Sequence, residues 1–308
     1  MDRMRKKKQG YSQLPFGYYH LCTDRLKGRN LFDTIRQYIM GMATIALLTL
    51  KFNIKIYAFE LMPNHLHIIL SATGATCVKA FSYIRRRLSF GLELEGKQAL
   101  PKDYGFVLIP IASEEEMRKQ IIYTVRNPYE KNSCVPGGHR WGSGYLLFNE
   151  LAKHIRGKRV GELSAAEVER FTHCRDVKLP RNWEIHPELG VLPSNYVQIG
   201  KVEALFSSVK DYQTRLVKDY ESYVRISGSL GEEMELSREE VLDLAAQYVR
   251  KNYNGRLIKS LSRDEKCCAA VELNAQYNLS PLQLSDALFL PERIIIQAIR
   301  SKDYRMSL

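Results

Sequence analysis

The chain has 308 residues, of which 45% are hydrophobic, and 46 Lys and Arg against 34 Asp and Glu leave a formal charge of +12 and a pI near 9.3. That length suits two domains, or one large and one small, and no apolar run is long enough to span a membrane. The positive balance points to a polyanionic partner.

The opening residues include Arg3, Arg5, Lys6, Lys7 and Lys8 with no apolar stretch behind them. This is not the pattern of a secretory signal; it is either a phosphate-binding arm or a solvated tail. Six cysteines (Cys22, Cys77, Cys134, Cys174, Cys267 and Cys268) show no C-x-x-C spacing. They fit free thiols in a reducing cytoplasm better than a disulfide framework or a zinc ribbon.

Residues 16–23 (FGYYHLCT) read as a strand with Tyr18, His20 and Cys22 on one face. A polar loop follows, and residues 31–51 carry the stripe of an amphipathic helix at Ile35, Tyr38, Ile39, Met42, Ile45 and Ala46. Residues 54–60 (IKIYAFE) alternate as a strand, and Pro63 and Asn64 mark a turn. The next strand begins at His65. Its period places His65, His67 and Ile69 on one face and Leu66, Ile68 and Leu70, a core set, on the other.

Residues 75–90 are helical again, with Arg85, Arg86 and Arg87 beside the apolar positions. Those arginines suit either a phosphate backbone or a solvated face. Residues 106–111 form a short β-like run, and Ser113 with Glu116 is a capping box. The helix it opens is expected to end near Pro128. Such mixing of strands and helices predicts an α+β layer: an antiparallel sheet carrying helices.

Residues 137–145 are glycine-rich but lack the lysine and hydroxyl of a nucleotide-binding loop. Residues 151–196 are irregular, residues 202–223 read as a polar helix, and residues 228–231 mark a boundary. Beyond it lie three capping boxes, Ser237 with Glu240, Ser262 with Glu265 and Ser280 with Gln283. Residues 280–300 then read as helix, turn, helix, either a DNA-binding pair presenting Arg293 and Arg300 or a packing module.

Two imidazoles at i and i+2 on a strand can hold one divalent cation with positions left open. They also suit a structural zinc site, or a half-exposed polar sheet face. Tyr123 and Asn127 lie one helical turn apart. A bound cation can make attack by a phenol on a phosphodiester feasible, and the Asn127 carboxamide could serve as a third ligand.

M-P-N-H-L-H at residues 62–67, followed by Y-x-x-x-N-P at residues 123–128, resembles the single-tyrosine HUH transposases, in particular the REP-associated tyrosine transposase branch. G-Y-Y-H at residues 17–20 and W-x-S-x-Y at residues 141–145 fit the same pattern, and the resemblance covers about residues 15–148. It implies a ferredoxin-like or RRM-like antiparallel sheet with helices. It also implies a Mg²⁺ or Mn²⁺ site at His65 and His67, with Asn127 completing it, and Tyr123 as nucleophile. The implied partner is hairpin-bearing single-stranded DNA, cleaved and rejoined through a 5′-phosphotyrosine. Arg85, Arg86, Arg126, Arg293 and Arg300 are the expected DNA contacts.

The expected organisation is a catalytic domain at residues 1–150, a connecting helical region at 151–230, and an all-α helix-turn-helix-like domain at 231–308. The expected location is cytoplasmic and nucleoid-associated. A non-catalytic DNA-binding regulator and a water-using nuclease are the alternatives.

Overall fold

The structure is a computed structural model that describes residues 9–130, 138–172, 178–232 and 236–301. The basic residues 1–8, Cys134, Gly137 and Cys174 lie outside the described residues. The chain forms two compact units, residues 1–231 and residues 232–308.

The first unit runs β1 (Gly17–Thr23), α1 (Ile35–Phe52), β2 (Lys55–Met62), β3 (His65–Ala72), α2 (Gly74–Leu94), β4 (Phe106–Ile111) and α3 (Glu114–Glu130). Its four strands lie in the order β2-β3-β1-β4, and every neighbouring pair is antiparallel. Met62 pairs with His65, so Pro63 and Asn64 alone connect β2 to β3. Proline has no N–H to lose in such a turn. Its carbonyl accepts the N–H of Leu31 at 2.6 Å and of Phe32 at 3.0 Å, which ties the loop after β1 over the turn.

The register sorts the strands into two faces. Leu66, Ile68 and Leu70 join Leu21, Phe59 and Leu61 on the face covered by α1 and α2, through Met42, Ile45, Phe81, Ile84 and Leu88. On the opposite face Ala58 and Ile69 meet Met117, Ile121, Ile122 and Val125 of α3. Every residue of β3 is therefore buried. The sequence leaves the histidine face open because α3's stripe does not say which surface it covers.

Helix ends follow local chemistry. Thr34 and Gln37 form a capping box for α1, which ends at left-handed Asn53. At α3 the Ser113 hydroxyl accepts from the Glu116 N–H at 3.1 Å. The Glu116 carboxylate, however, faces Gln120 and Arg225 rather than the cap. The helix continues through Pro128 to Glu130 instead of stopping before it. Proline there removes the N–H that would bond the Thr124 carbonyl, so the helix gives up one bond two residues before its end.

After α3 come α4 (Glu150–Lys153), β5 (Lys158–Arg159), α5 (Ala165–Thr172), β6 (Glu184–His186) and β7 (Gly190–Val191). These strands make a second, three-stranded sheet. Strands of two or three residues have no readable period, which is why the sequence shows this stretch only as irregular. The single helix expected over residues 202–223 is three: α6 (Ile199–Glu203), α7 (Val209–Lys218) and α8 (Tyr220–Leu230). Ser208 caps α7, and α8 ends on Gly231, whose φ of 71° suits glycine.

The second unit is helical: α9 (Arg238–Asn252), α10 (Arg263–Tyr277), α11 (Pro281–Leu288) and α12 (Glu292–Arg300). Its three capping boxes form as the sequence indicates. The turn after α11 is made without glycine by Phe289, which takes a left-handed φ of 54°. The Ser285 hydroxyl spans this turn, donating to the Leu290 carbonyl at 2.6 Å. Among the described residues no helix is long and apolar enough to cross a membrane.

Candidate active site

His65 and His67 leave β3 on the side covered by α3, and both are fully buried. Two cross-strand partners flank His67 on the same face: Cys22 of β1 and Glu60 of β2. His20, two residues before Cys22, shares that face.

A chain of hydrogen bonds links the imidazoles to α3 and orders their protons when the rings are neutral. The Gln120 amide nitrogen donates to the Glu116 carboxylate at 2.9 Å. Its oxygen therefore faces His20 Nδ1, at 2.6 Å. An amide oxygen only accepts, so His20 Nδ1 carries the proton, and in the neutral ring Nε2 is then a lone pair. That lone pair lies 3.0 Å from His67 Nδ1, which must donate. His67 Nε2 is then a lone pair. His65 Nδ1 donates in the same way to the Asn64 oxygen at 2.8 Å. The two Nε2 atoms meet at 2.9 Å. With Nδ1 donating in both neutral rings, the two Nε2 atoms are the nitrogens left to take a shared proton or a cation. Imidazoles whose other nitrogen donates to a fixed partner are characteristic metal ligands, so the residues present fit a divalent ion.

Helix α3 brings Tyr123 to this point. Its ring centroid is 5.7 Å from that of His67 and 5.9 Å from that of His20, edge-on to both. Asn127, one turn later, donates its amide N–H to the Tyr123 carbonyl at 3.0 Å. Tyr123 is only 1% exposed, because Tyr223 of α8 packs on it at 4.7 Å. Arg126 is equally buried, with its guanidinium 5.1 Å from the same Tyr223 ring. Arg225, also on α8, pairs with Glu116 at 2.8 Å.

The other arginines singled out in the sequence lie elsewhere. Arg85 and Arg86 are on α2, whose packed face covers the opposite side of the sheet. Arg85 donates to the Pro101 carbonyl at 3.1 Å, and Arg86 lies 5.8 Å from the Tyr83 ring. Arg87 is buried and donates to the Thr172 carbonyl at 2.6 Å. In the second unit Arg293 and Arg300 are both exposed on α12.

The glycine-rich stretch has a packing role. It runs along the edge of β2, where the Leu61 N–H meets the Trp141 carbonyl and the Ser143 N–H meets the Phe59 carbonyl, each at 2.9 Å. The Glu60 carboxyl points into it and accepts the Gly144 N–H at 2.9 Å. A Cβ at Gly142 or Gly144 would collide with that carboxyl. Burial pushes Glu60 well above the usual carboxylate range, although the amides of Gly144 and Ser143 pull the other way. His139 lies 4.0 Å from it and is itself shifted down by burial. Both shifts disfavour the charged forms that an ion pair between them would need.

Sequence reasoning assigned no role to His20, Cys22, Gln120, Glu60 or Tyr223. A signal existed for two of them, since His20 and Cys22 alternate on one strand as His65 and His67 do on another. What the sequence does not show is that these two strands are neighbours.

No family model matches the chain, and no curated protein matches it. A solved structure described as "Structure of the REP associates tyrosine transposase bound to a REP hairpin" is similar to it at 15% identity. The match covers 42% of this chain and 78% of that chain, with a TM-score of 0.35.

Proposed function

We propose that the first unit is a ferredoxin-like, single-tyrosine HUH domain and that the protein is a metal-dependent DNA transposase. Its substrate is hairpin-bearing single-stranded DNA, handled in the cytoplasm beside the nucleoid. What supports this reading above all is the meeting of Tyr123 with His67 and His20, within 6 Å by ring centroids, next to the paired Nε2 atoms of His65 and His67.

His65 and His67 would hold the ion, with Asn127 a candidate further ligand. When bound, such an ion polarises a phosphodiester and offsets the charge growing on its oxygens. The Tyr123 oxygen attacks phosphorus, an O–P bond forms, and the bond to the 3′ oxygen breaks. The phenol's proton ends on the released 3′-OH. The resulting 5′-phosphotyrosine keeps the energy of the phosphodiester, so rejoining needs no nucleotide cofactor. The helical second unit would bind DNA through α12, with Arg293 and Arg300 on phosphates. Arg85, Arg86 and Arg126 are the proposed contacts of the first unit, Arg126 once the Tyr223 contact opens.

The test is denaturing electrophoresis of labelled single-stranded hairpin DNA with Mg²⁺, Mn²⁺ or Zn²⁺. Wild type should link label to protein. Tyr123→Phe keeps the ring packing and should bind DNA normally, yet neither cut nor form the adduct. A phenylalanine variant that cuts at the wild-type rate makes water the nucleophile. One observation favours the regulator alternative: Tyr123 is covered by Tyr223. DNA binding with no adduct under any of the three metals would decide for it.

A further inference from the structure

The geometry points to Cys22 as the third protein ligand of the metal site, giving a two-nitrogen, one-sulfur donor set that selects zinc-like ions over Mg²⁺. This rests on reading His65 and His67 as metal ligands and is independent of the chemistry assigned to Tyr123.

Three observations carry it. The Cys22 sulfur and the ligand nitrogens of His65 and His67 lie within 4.8 Å of one another. Cys22 is a reduced thiol, 3% exposed, held on β1 directly across from His67. All three donors thus stand on adjacent strands of one sheet, whose hydrogen-bond ladder fixes their spacing without help from a loop. The Cys22 thiol donates to the Thr23 carbonyl at 3.4 Å, a weak bond that it gives up with its proton on binding a metal.

Donor chemistry then sets the preference. Thiolate and imidazole suit Zn²⁺ and its spectroscopic substitute Co²⁺, whereas Mg²⁺ takes oxygen ligands and keeps its waters. On binding, the thiol loses its proton to solvent and the sulfur–metal bond forms in its place.

The experiment titrates the full-length chain with Co²⁺ and then competes it with Zn²⁺, Mn²⁺ and Mg²⁺. Wild type should show visible ligand-field bands and a near-ultraviolet thiolate-to-cobalt band, and Zn²⁺ should displace cobalt where Mg²⁺ does not. Cys22→Ser and Cys22→Ala should lose the near-ultraviolet band and bind Zn²⁺ at least about tenfold more weakly. X-ray absorption of the zinc-loaded wild type should find one sulfur neighbour at about 2.3 Å, a reading that needs no variant to fold.

A near-ultraviolet band undiminished in both variants, or a zinc shell without sulfur, overturns the assignment and leaves Cys22 a packed apolar side chain. Absence of any metal binding by wild type overturns the histidine reading along with it. A sulfur-bearing metal site on a chain that never forms a DNA adduct leaves this inference standing and removes Tyr123 as nucleophile.

Discussion

Replacing Gln120 with leucine tests the hydrogen-bond chain behind the histidines without touching a ligand. Leucine keeps most of the side-chain volume but removes the oxygen that accepts from His20 Nδ1 at 2.6 Å. His20 then has two choices. It can keep its proton on Nδ1, leaving a buried donor unsatisfied at a cost of about 1–3 kcal/mol. Alternatively it can shift to the other tautomer, with the proton on Nε2 facing His67 Nδ1. The second course moves the His67 proton to its own Nε2, the nitrogen that faces His65, and a protonated nitrogen does not bind metal. Whichever course is cheaper in the free protein, metal binding has to restore the first. The expected loss is therefore at most the same 1–3 kcal/mol, roughly 5- to 150-fold in affinity. That agrees with the 10–100-fold typical of residues that orient metal ligands. Calorimetric titration of Co²⁺ or Zn²⁺ into wild type and Gln120→Leu measures it, with circular dichroism confirming the fold. Affinities within twofold of each other mean that His20 keeps its Nδ1 proton unsatisfied; a loss well above about 150-fold on a folded variant would refute the tautomer chain.

Tyr223→Ala removes the ring that covers Tyr123 and underlies Arg126, interactions worth about 0.5–1.5 kcal/mol for the aromatic pair and a similar amount for the cation. Single-turnover cleavage should speed up several-fold, and a rate equal to or below wild type means that Tyr223 does not limit access. Glu60 has its folded-state pKa raised, so it keeps a proton that the unfolded chain gives up. Stability of the metal-free protein should then fall, by up to about 1.4 kcal/mol per pH unit, as pH rises above the unfolded carboxylate value towards the folded one. Glu60→Gln should lack that slope, and thermal melts in chelator from pH 5 to 8 that run parallel for the two proteins would count against it. Reversing Arg293 and Arg300 to Glu should flatten the salt dependence of DNA binding, by about 0.9 in the log–log slope for each phosphate no longer neutralised; an unchanged slope takes α12 off the DNA.

Much of the first unit was legible because its elements are long and periodic. The strand at His65 and its face assignment follow from alternation alone, and the strand at residues 106–111 from a short apolar run. The three serine caps of the second unit follow from the spacing of hydroxyl and carboxylate or carboxamide. What stayed hidden depends on non-local pairing. His20 and Cys22 lie some 45 residues from His65 and His67, and only the placement of β1 beside β3 makes them one cluster. Gln120 looks like any polar helix residue until its oxygen is seen against His20. The small sheet of β5, β6 and β7 was invisible because its strands, two or three residues long, are too short to show an alternation. Glu60 is buried because the glycine-rich stretch, more than 80 residues on, folds over it.

The cover over Tyr123 and the geometry of the histidines share one residue, Glu116. Its carboxylate accepts both from Gln120, which begins the chain to His20 and His67, and from Arg225 on α8. The two bonds differ in weight. The Arg225 pair is half-exposed on the arginine side, and such pairs are worth only about 0–1 kcal/mol. The Gln120 bond lies deeper, with Gln120 itself 1% exposed. Lifting α8 would therefore break the weak ion pair and the Tyr223 packing while Glu116 keeps its hold on Gln120. The proton positions on His20 and His67 do not depend on α8. On the proposed reading, access to Tyr123 and the protonation of His65 and His67 are thus separable, so a closed site can already have its candidate ligands correctly protonated.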